Sequence, residues 1–97
     1  MLARRLRRFA GLIEDLALRD VTARVARLLL DEGRRGERAE IDLPGTRDDV
    51  AVRIGTVREL VSRSLARLRA AGAIDLVGRR VRVRDRARLG AIADSGR

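Results

Sequence analysis

The segment 46–83 constrains this 97-residue chain more than any other part of it. It contains two T-x-x-acid signatures, Thr46 with Asp49 and Thr56 with Glu59. At that spacing a hydroxyl and a carboxylate reciprocally satisfy free backbone N–H groups at a helix start. The first predicted helix runs through Val50, Ala51 and Val52, and Ile54-Gly55 ends it. The second is predicted over 56–71. Its apolar positions, Val57, Leu60, Val61, Leu65 and Leu68, recur at three- and four-residue steps, and Gly72 supplies a left-handed stop. Two short capped helices joined by a glycine-containing turn form a helix-turn-helix. Two alternating runs, 74–77 and 80–83, then flank Gly78-Arg79, and Gly at the first position of a two-residue loop suits a type II′ hairpin. Helix, helix and hairpin predict a mainly α winged helix-turn-helix with a small β-hairpin wing.

On a helical wheel the face of 56–71 opposite the apolar one carries Arg58, Glu59, Ser62, Arg63, Ala66 and Arg69. It offers forked donors, one acceptor and a small hydroxyl, with no bulky hydrophobe. Arg forks suit guanine O6 and N7, and Glu accepts from cytosine N4, so the face has the chemistry to read base edges in a major groove. A solvated outer face has the same charged character. The chain has no Asn or Gln, which excludes bidentate adenine reading. Thr46, Arg47, Thr56 and the wing pair Arg79 and Arg80, with Arg69 on the helix, are candidates for phosphate contact, which positions a protein without specifying sequence.

Charge distribution supports this reading. The formal net charge is +9 and every basic residue is Arg. Residues 1–52 hold 11 Arg against 10 acidic residues, whereas 53–88 hold 11 Arg against 3, a local net of +8. Segregated positive charge of this kind is an electrostatic footprint for phosphate.

The same inventory excludes other classes. No His, Cys, Lys or Tyr is present to serve as base or nucleophile, and the soft metal ligands are missing, so neither an enzyme nor a metal site is predicted, and no cofactor. Phe9 is the single aromatic residue, which leaves no stacking platform for unpaired bases. No apolar run approaches the ~20 residues of a membrane span, and the N-terminus lacks the pattern of a signal peptide. A cytoplasmic protein is expected.

Outside the central segment, Leu2, Leu6, Phe9, Ile13 and Leu16 follow the a/d rhythm of a coiled-coil seam, which fits either pairing of two copies through 2–17 or packing on the chain's own domain. Leu18-Arg19-Asp20 breaks that rhythm, and Asp20 is the N-cap type of residue for a second helix through Val21, Val25, Leu28 and Leu29, ending at Gly33. Residues 33–40 read as a polar loop, 41–43 as a short strand, and Pro44-Gly45 as a turn. Asp85 caps a last helix through Leu89 and Ile92, and 95–97 read as a frayed tail. The division expected is 1–19 as an N-terminal helix and hinge, and 20–94 as a winged helix-turn-helix domain around a three-helix core.

Three stretches, LALRDVTARVARLLL at 16–30, TRDDVAVRIGTVRELVSRSLARLRAAGAI at 46–74 and VGRRVRV at 77–83, resemble the C-terminal DNA-binding domain of the Crp/Fnr family of bacterial transcription regulators. The resemblance implies that Arg58, Glu59 and Arg63 read bases, as in the catabolite-activator branch. Glu59, Ser62 and Arg63 also match the E-x-x-S-R of the Fnr branch. It further implies that residues 2–17 are the end of a dimerisation helix, that Asp20 caps a hinge, and that the partner is a palindromic operator in duplex DNA with TGTGA-like halves. Residues 31–45 lie where activators touch RNA polymerase, but match nothing specific. The chain has no room for the family's N-terminal sensor barrel, so no effector is implied. A protein-interaction winged helix, or a winged-helix repressor of another family, would share the fold.

Overall fold

The computed structural model describes residues 2–36 and 40–96. Seven elements follow one another: α1 (Leu2–Gly36), β1 (Glu40–Asp42), α2 (Arg47–Ile54), α3 (Arg58–Ala70), β2 (Ile74–Val77), β3 (Arg80–Val83) and α4 (Arg86–Ser95). The mainly α winged helix-turn-helix is present.

The first two predicted helices are one. A 35-residue helix at 1.5 Å per residue is about 52 Å long, and the molecule's longest dimension is 53 Å. The expected break at 18–20 does not occur because no proline interrupts the backbone there. Asp20 caps nothing; its carboxylate pairs with Arg24 one turn on, at 3.1 Å. What changes at this point is burial. Leu2 through Leu16 line an exposed half, whereas Leu18, Val21, Val25, Leu28 and Leu29 are buried against α3 and α4. Nor does the helix stop at Gly33, which is buried with Ile41 beside it; it continues to Gly36.

The core gathers one face of every helix and the inner face of the sheet. Val25, Leu29, Val50, Val61, Leu65, Leu68, Ile74, Val81 and Leu89 are among its fully buried side chains. Each stabilises by about 1.5–3 kcal/mol relative to exposure. The hairpin expected at 74–83 forms with Val77 opposite Arg80, and Gly78 has φ +61, as a II′-type turn requires. The expected strand at 41–43 is set one residue earlier, at Glu40–Asp42, and pairs antiparallel with β3. The wing is therefore the edge of a three-stranded sheet in the order β1-β3-β2 rather than a free hairpin. Its register places Glu40 opposite Arg82 and Asp42 opposite Arg80.

At the C-terminus, Asp85 caps α4 by accepting from Arg88 N at 3.0 Å, and Leu89 is buried. The expected frayed tail is helical at Ser95, whose hydroxyl donates to the Ile92 carbonyl, and Gly96 sits beside Ala23; Arg97 lies outside the described residues.

Candidate nucleic-acid interface

The helix-turn-helix is held by its ends. Thr46 caps α2 through a complete capping box: Thr46 Oγ1 accepts from Asp49 N at 3.2 Å, and Thr46 N donates to Asp49 Oδ2 at 2.8 Å. At the other end Gly55 takes φ +83, a left-handed conformation that costs a residue with a Cβ about 1–2 kcal/mol. Gly55 N donates to Val52 O and Thr56 N to Ala51 O, the paired bonds of a Schellman motif. Arg24, reaching from α1, donates to the Ile54 carbonyl at 3.1 Å and closes the same end.

That termination explains why the second expected capping box does not form. Thr56 N is already committed to ending α2, so the chain needs one more extended residue before α3 begins. Val57 occupies the cap position at φ −114°, ψ 153°, and makes no side-chain cap bond. The helix starts at Arg58, two residues later than the predicted 56–71. Val57 is consequently not part of the apolar face; it is 59% exposed. Ser64 takes its place among the buried residues, with Val61, Leu65 and Leu68. Gly72 ends α3 as expected, through a second Schellman pair from Gly72 N and Ala73 N.

The outer face of α3 carries the predicted reading set. Arg58, Glu59, Arg63 and Arg69 are exposed and Ser62 is half-buried. Arg58 faces Asp48 at 3.8 Å, a surface pair that holds the guanidinium weakly. Arg47 Nη1 donates to Ser62 Oγ at 3.0 Å and bridges the start of α2 to the middle of α3. Among the described residues, the side chains of Glu59, Arg63, Arg69 and Arg79 make no hydrogen bond or ion pair within the protein.

A cleft of about 530 Å³ separates the helix-turn-helix from the wing. Thr46, Arg47, Asp49 and Arg58 line it from the helix-turn-helix, and Gly78, Arg79 and Arg80 from the wing. The structure thus brings the α2 N-terminus, the start of α3 and the wing turn to one place. Besides Arg47, which donates to Ser62, two of the predicted phosphate contacts are engaged within the protein. Both polar groups of Thr46 serve the cap, and its hydroxyl lies 3.1 Å from Asp49 Oδ2. Arg80 pairs with Asp42 at 3.0 Å and Glu40 at 3.6 Å. Thr56 is half-buried at the α2 terminus.

Folding also redistributes the charge that looked segregated along the chain. Arg53 pairs with Glu32, Arg58 with Asp48, Arg80 with Asp42 and Glu40, Arg82 with Glu40, Arg84 with Asp75, and Arg88 with Asp85. Four of those acidic partners, Glu32, Glu40, Asp42 and Asp48, come from the half that sequence counts as nearly neutral. The cations left outside ion pairs between 53 and 88 are Arg63, Arg67, Arg69, Arg79 and Arg86, among the described residues. Arg63, Arg69 and Arg79 are on the predicted list; Arg67 instead borders a groove between α1, α3 and α4. Within the sheet, the Arg82 hydrogen bond at 2.7 Å and then the Arg82 and Arg80 charges hold the Glu40 carboxyl below its ordinary value of 4.5, against an opposing desolvation.

The stripe expected to pair two copies is exposed along its length: Leu2, Leu6, Phe9, Ile13 and Leu16 all face outward, with Leu12 beside them. Leu12 falls outside the a/d rhythm and was not legible as part of the seam. No helix among the described residues is long and apolar enough to cross a membrane, and no group of three or more of their Asp and Glu side chains is placed to hold a metal ion.

Comparison with known proteins agrees with this architecture. A family model described as the Crp-like helix-turn-helix domain matches residues 23–92. The CRP-like cAMP-activated global transcriptional regulator of Mycobacterium tuberculosis is 36% identical over 94 residues, 92% of this chain and 42% of that protein. Among solved structures, Thermus thermophilus catabolite activator protein matches with a TM-score of 0.81 at 34% identity, over 99% of this chain and 44% of that one. DNR from Pseudomonas aeruginosa matches with a TM-score of 0.77 at 34% identity, over 94% and 41%. The chain spans less than half the length of these relatives. It belongs to the family of Crp-like helix-turn-helix domains, the DNA-binding domains of transcription regulators.

Proposed function

We propose that this chain reads duplex DNA sequence-specifically, with α3 in the major groove and the wing on the flanking backbone. The observation that carries the reading is the convergence of Arg47, Arg58, Arg79 and Arg80 on one cleft, beside a face of α3 whose Arg63 and Glu59 side chains have no partner among the described residues. Arg58, Glu59, Ser62 and Arg63 are the base contacts. Arg47, Arg69 and Arg79 contact phosphate directly, and Arg80 does so by exchanging one carboxylate for a phosphate oxygen. Thr46 and Thr56 contribute through the two ends of α2, which present the start of α3.

The exposed stripe of α1 supports a homodimer through residues 2–17, reading two half-sites of a palindromic operator about 34 Å apart. Contact with RNA polymerase has less loop to use than the sequence implied, since α1 reaches Gly36 and β1 starts at Glu40. Salt-titrated binding tests the reading. Four phosphate contacts per copy give a slope of log K against log salt of about −3.6. Arg79→Ala with Arg80→Ala should reduce its magnitude by about one to two units on every sequence. A slope near zero would favour a protein-interaction module instead, and an unchanged slope in the double variant would place the wing off the DNA.

A further inference from the structure

The core of this protein is apolar except at one point. Among the described residues, Thr22 and Ser64 are the buried polar side chains, 4% and 0% exposed. Thr22 Oγ1 lies 2.6 Å from the Leu18 carbonyl and 3.1 Å from Ser64 Oγ. A hydroxyl has one proton and a carbonyl can only accept, so Thr22 donates to Leu18 O and the Ser64 hydroxyl donates to Thr22 Oγ1. The relay leaves neither group unsatisfied; no buried side-chain polar atom among the described residues lacks a partner.

This relay crosses from α1 to α3, 42 residues apart in the chain. Around it the core side chains that α1 and α3 contribute, Val25, Leu29, Val61, Leu65 and Leu68 among them, are apolar, and their contacts are non-directional. Apolar packing alone tolerates small rotations of one helix on another, whereas a hydroxyl pair at 3.1 Å does not. Ser64 follows Arg63 directly and lies on the opposite side of the helix from the reading face. Rotation of α3 about its own axis therefore sets where Arg58, Glu59 and Arg63 point. Binding constellations need positioning to about 0.5 Å and 10–20°.

We propose that Thr22 and Ser64 are positioning residues for DNA recognition: their hydroxyl pair fixes the rotation and register of α3 against α1 and so aims the reading face. The inference rests on the DNA-reading function above and adds its internal control. It also ties α3 to the same continuous helix that carries the exposed apolar stripe, so the orientation of the reading face is set relative to the pairing surface.

The test separates aim from stability. Thr22→Val with Ser64→Ala removes both partners, orphans no hydroxyl and nearly preserves shape, so the thermal midpoint should stay within about 4 °C of the parent. Binding by the full chain is measured on a duplex selected from a random library and on its scrambled version. The specificity ratio should fall about tenfold, the scale of one good bidentate contact, with affinity for scrambled DNA and the salt slope unchanged. Thr22→Ser, which keeps the hydroxyl, should retain the ratio. If the double variant fails to fold, Ser64→Ala alone cuts the tie while Thr22 keeps its bond to Leu18, and the same fall is expected. A ratio within about twofold of the parent in a folded variant overturns the proposal, as does equal weakening on both duplexes. A parent that binds all duplexes alike overturns the DNA-reading function itself, and the positioning role with it.

Discussion

Replacing Val57 with threonine should make this protein more stable. Val57 holds the cap position of α3 in an extended conformation suited to a side-chain cap, but has no oxygen to accept from the free N–H groups of the first turn. Val57→Thr keeps the branched shape and supplies a cap of about 1 kcal/mol. The exchanged methyl is at most partly buried, since Val57 is 59% exposed, so the loss is about 0.3 kcal/mol from a full value of ~0.8 per buried group. The net gain is about 0.7 kcal/mol, or ~3–6 °C in thermal midpoint for a domain of this size. Scanning calorimetry at constant protein concentration measures it. Thr56→Ala is the matched control: only the backbone N–H of Thr56 is used at the α2–α3 joint, so its change should stay below about 0.5 kcal/mol. A loss of stability on Val57→Thr, together with a loss of about 1 kcal/mol on Thr56→Ala, would show that α3 starts at Thr56 and refute the cap assignment.

Two other perturbations probe different parts of the molecule. Glu40 is held below its ordinary value by Arg82 and Arg80, so the sheet pairing it supports is complete above about pH 4.5 and weakens as pH falls through the lower folded value. Thermal midpoints followed from about pH 6 to pH 3 should therefore fall more steeply for the parent than for Glu40→Gln, and parallel curves would remove Glu40 from the account. Phe9→Glu should abolish pairing of two copies without unfolding the domain, because Phe9 is 63% exposed and touches no part of the core; sedimentation shows it, and a dimer that survives the change would place pairing on another surface.

The fold and the placement of most candidate site residues were legible in sequence because their determinants are local. Thr46 with Asp49, Gly55, Gly72, Gly78 and Asp85 each state a backbone requirement within a few residues, and the structure meets each one. The misreadings share a cause: a local signal overruled by something nearby or distant. Thr56-x-x-Glu59 has the capping-box spacing, but its N–H is taken by the helix before it. Asp20 is a cap type that sits on a helix surface, and the helix continues because nothing breaks it. Ser64 falls at helical spacing between Leu60 and Leu68, and the position of Thr22 on another helix is what makes a buried hydroxyl tolerable there. The pairing of Arg80 and Arg82 with Glu40 was invisible because β1 joins the wing from forty residues away.

Base reading by the outer face of α3 turns most sharply on Arg63, which is exposed, has no side-chain partner among the described residues, and lies on the face opposite the core. The direct measurement is the affinity of Arg63→Ala and of the parent for a selected duplex and its scrambled version at the same salt. Arg63→Ala should lose about 1–3 kcal/mol on the selected duplex and relax discrimination at one guanine, with little change in the ratio between any two scrambled duplexes. Equal weakening on selected and scrambled DNA would contradict base reading, leaving Arg63 as a phosphate contact and α3 without its reading residue.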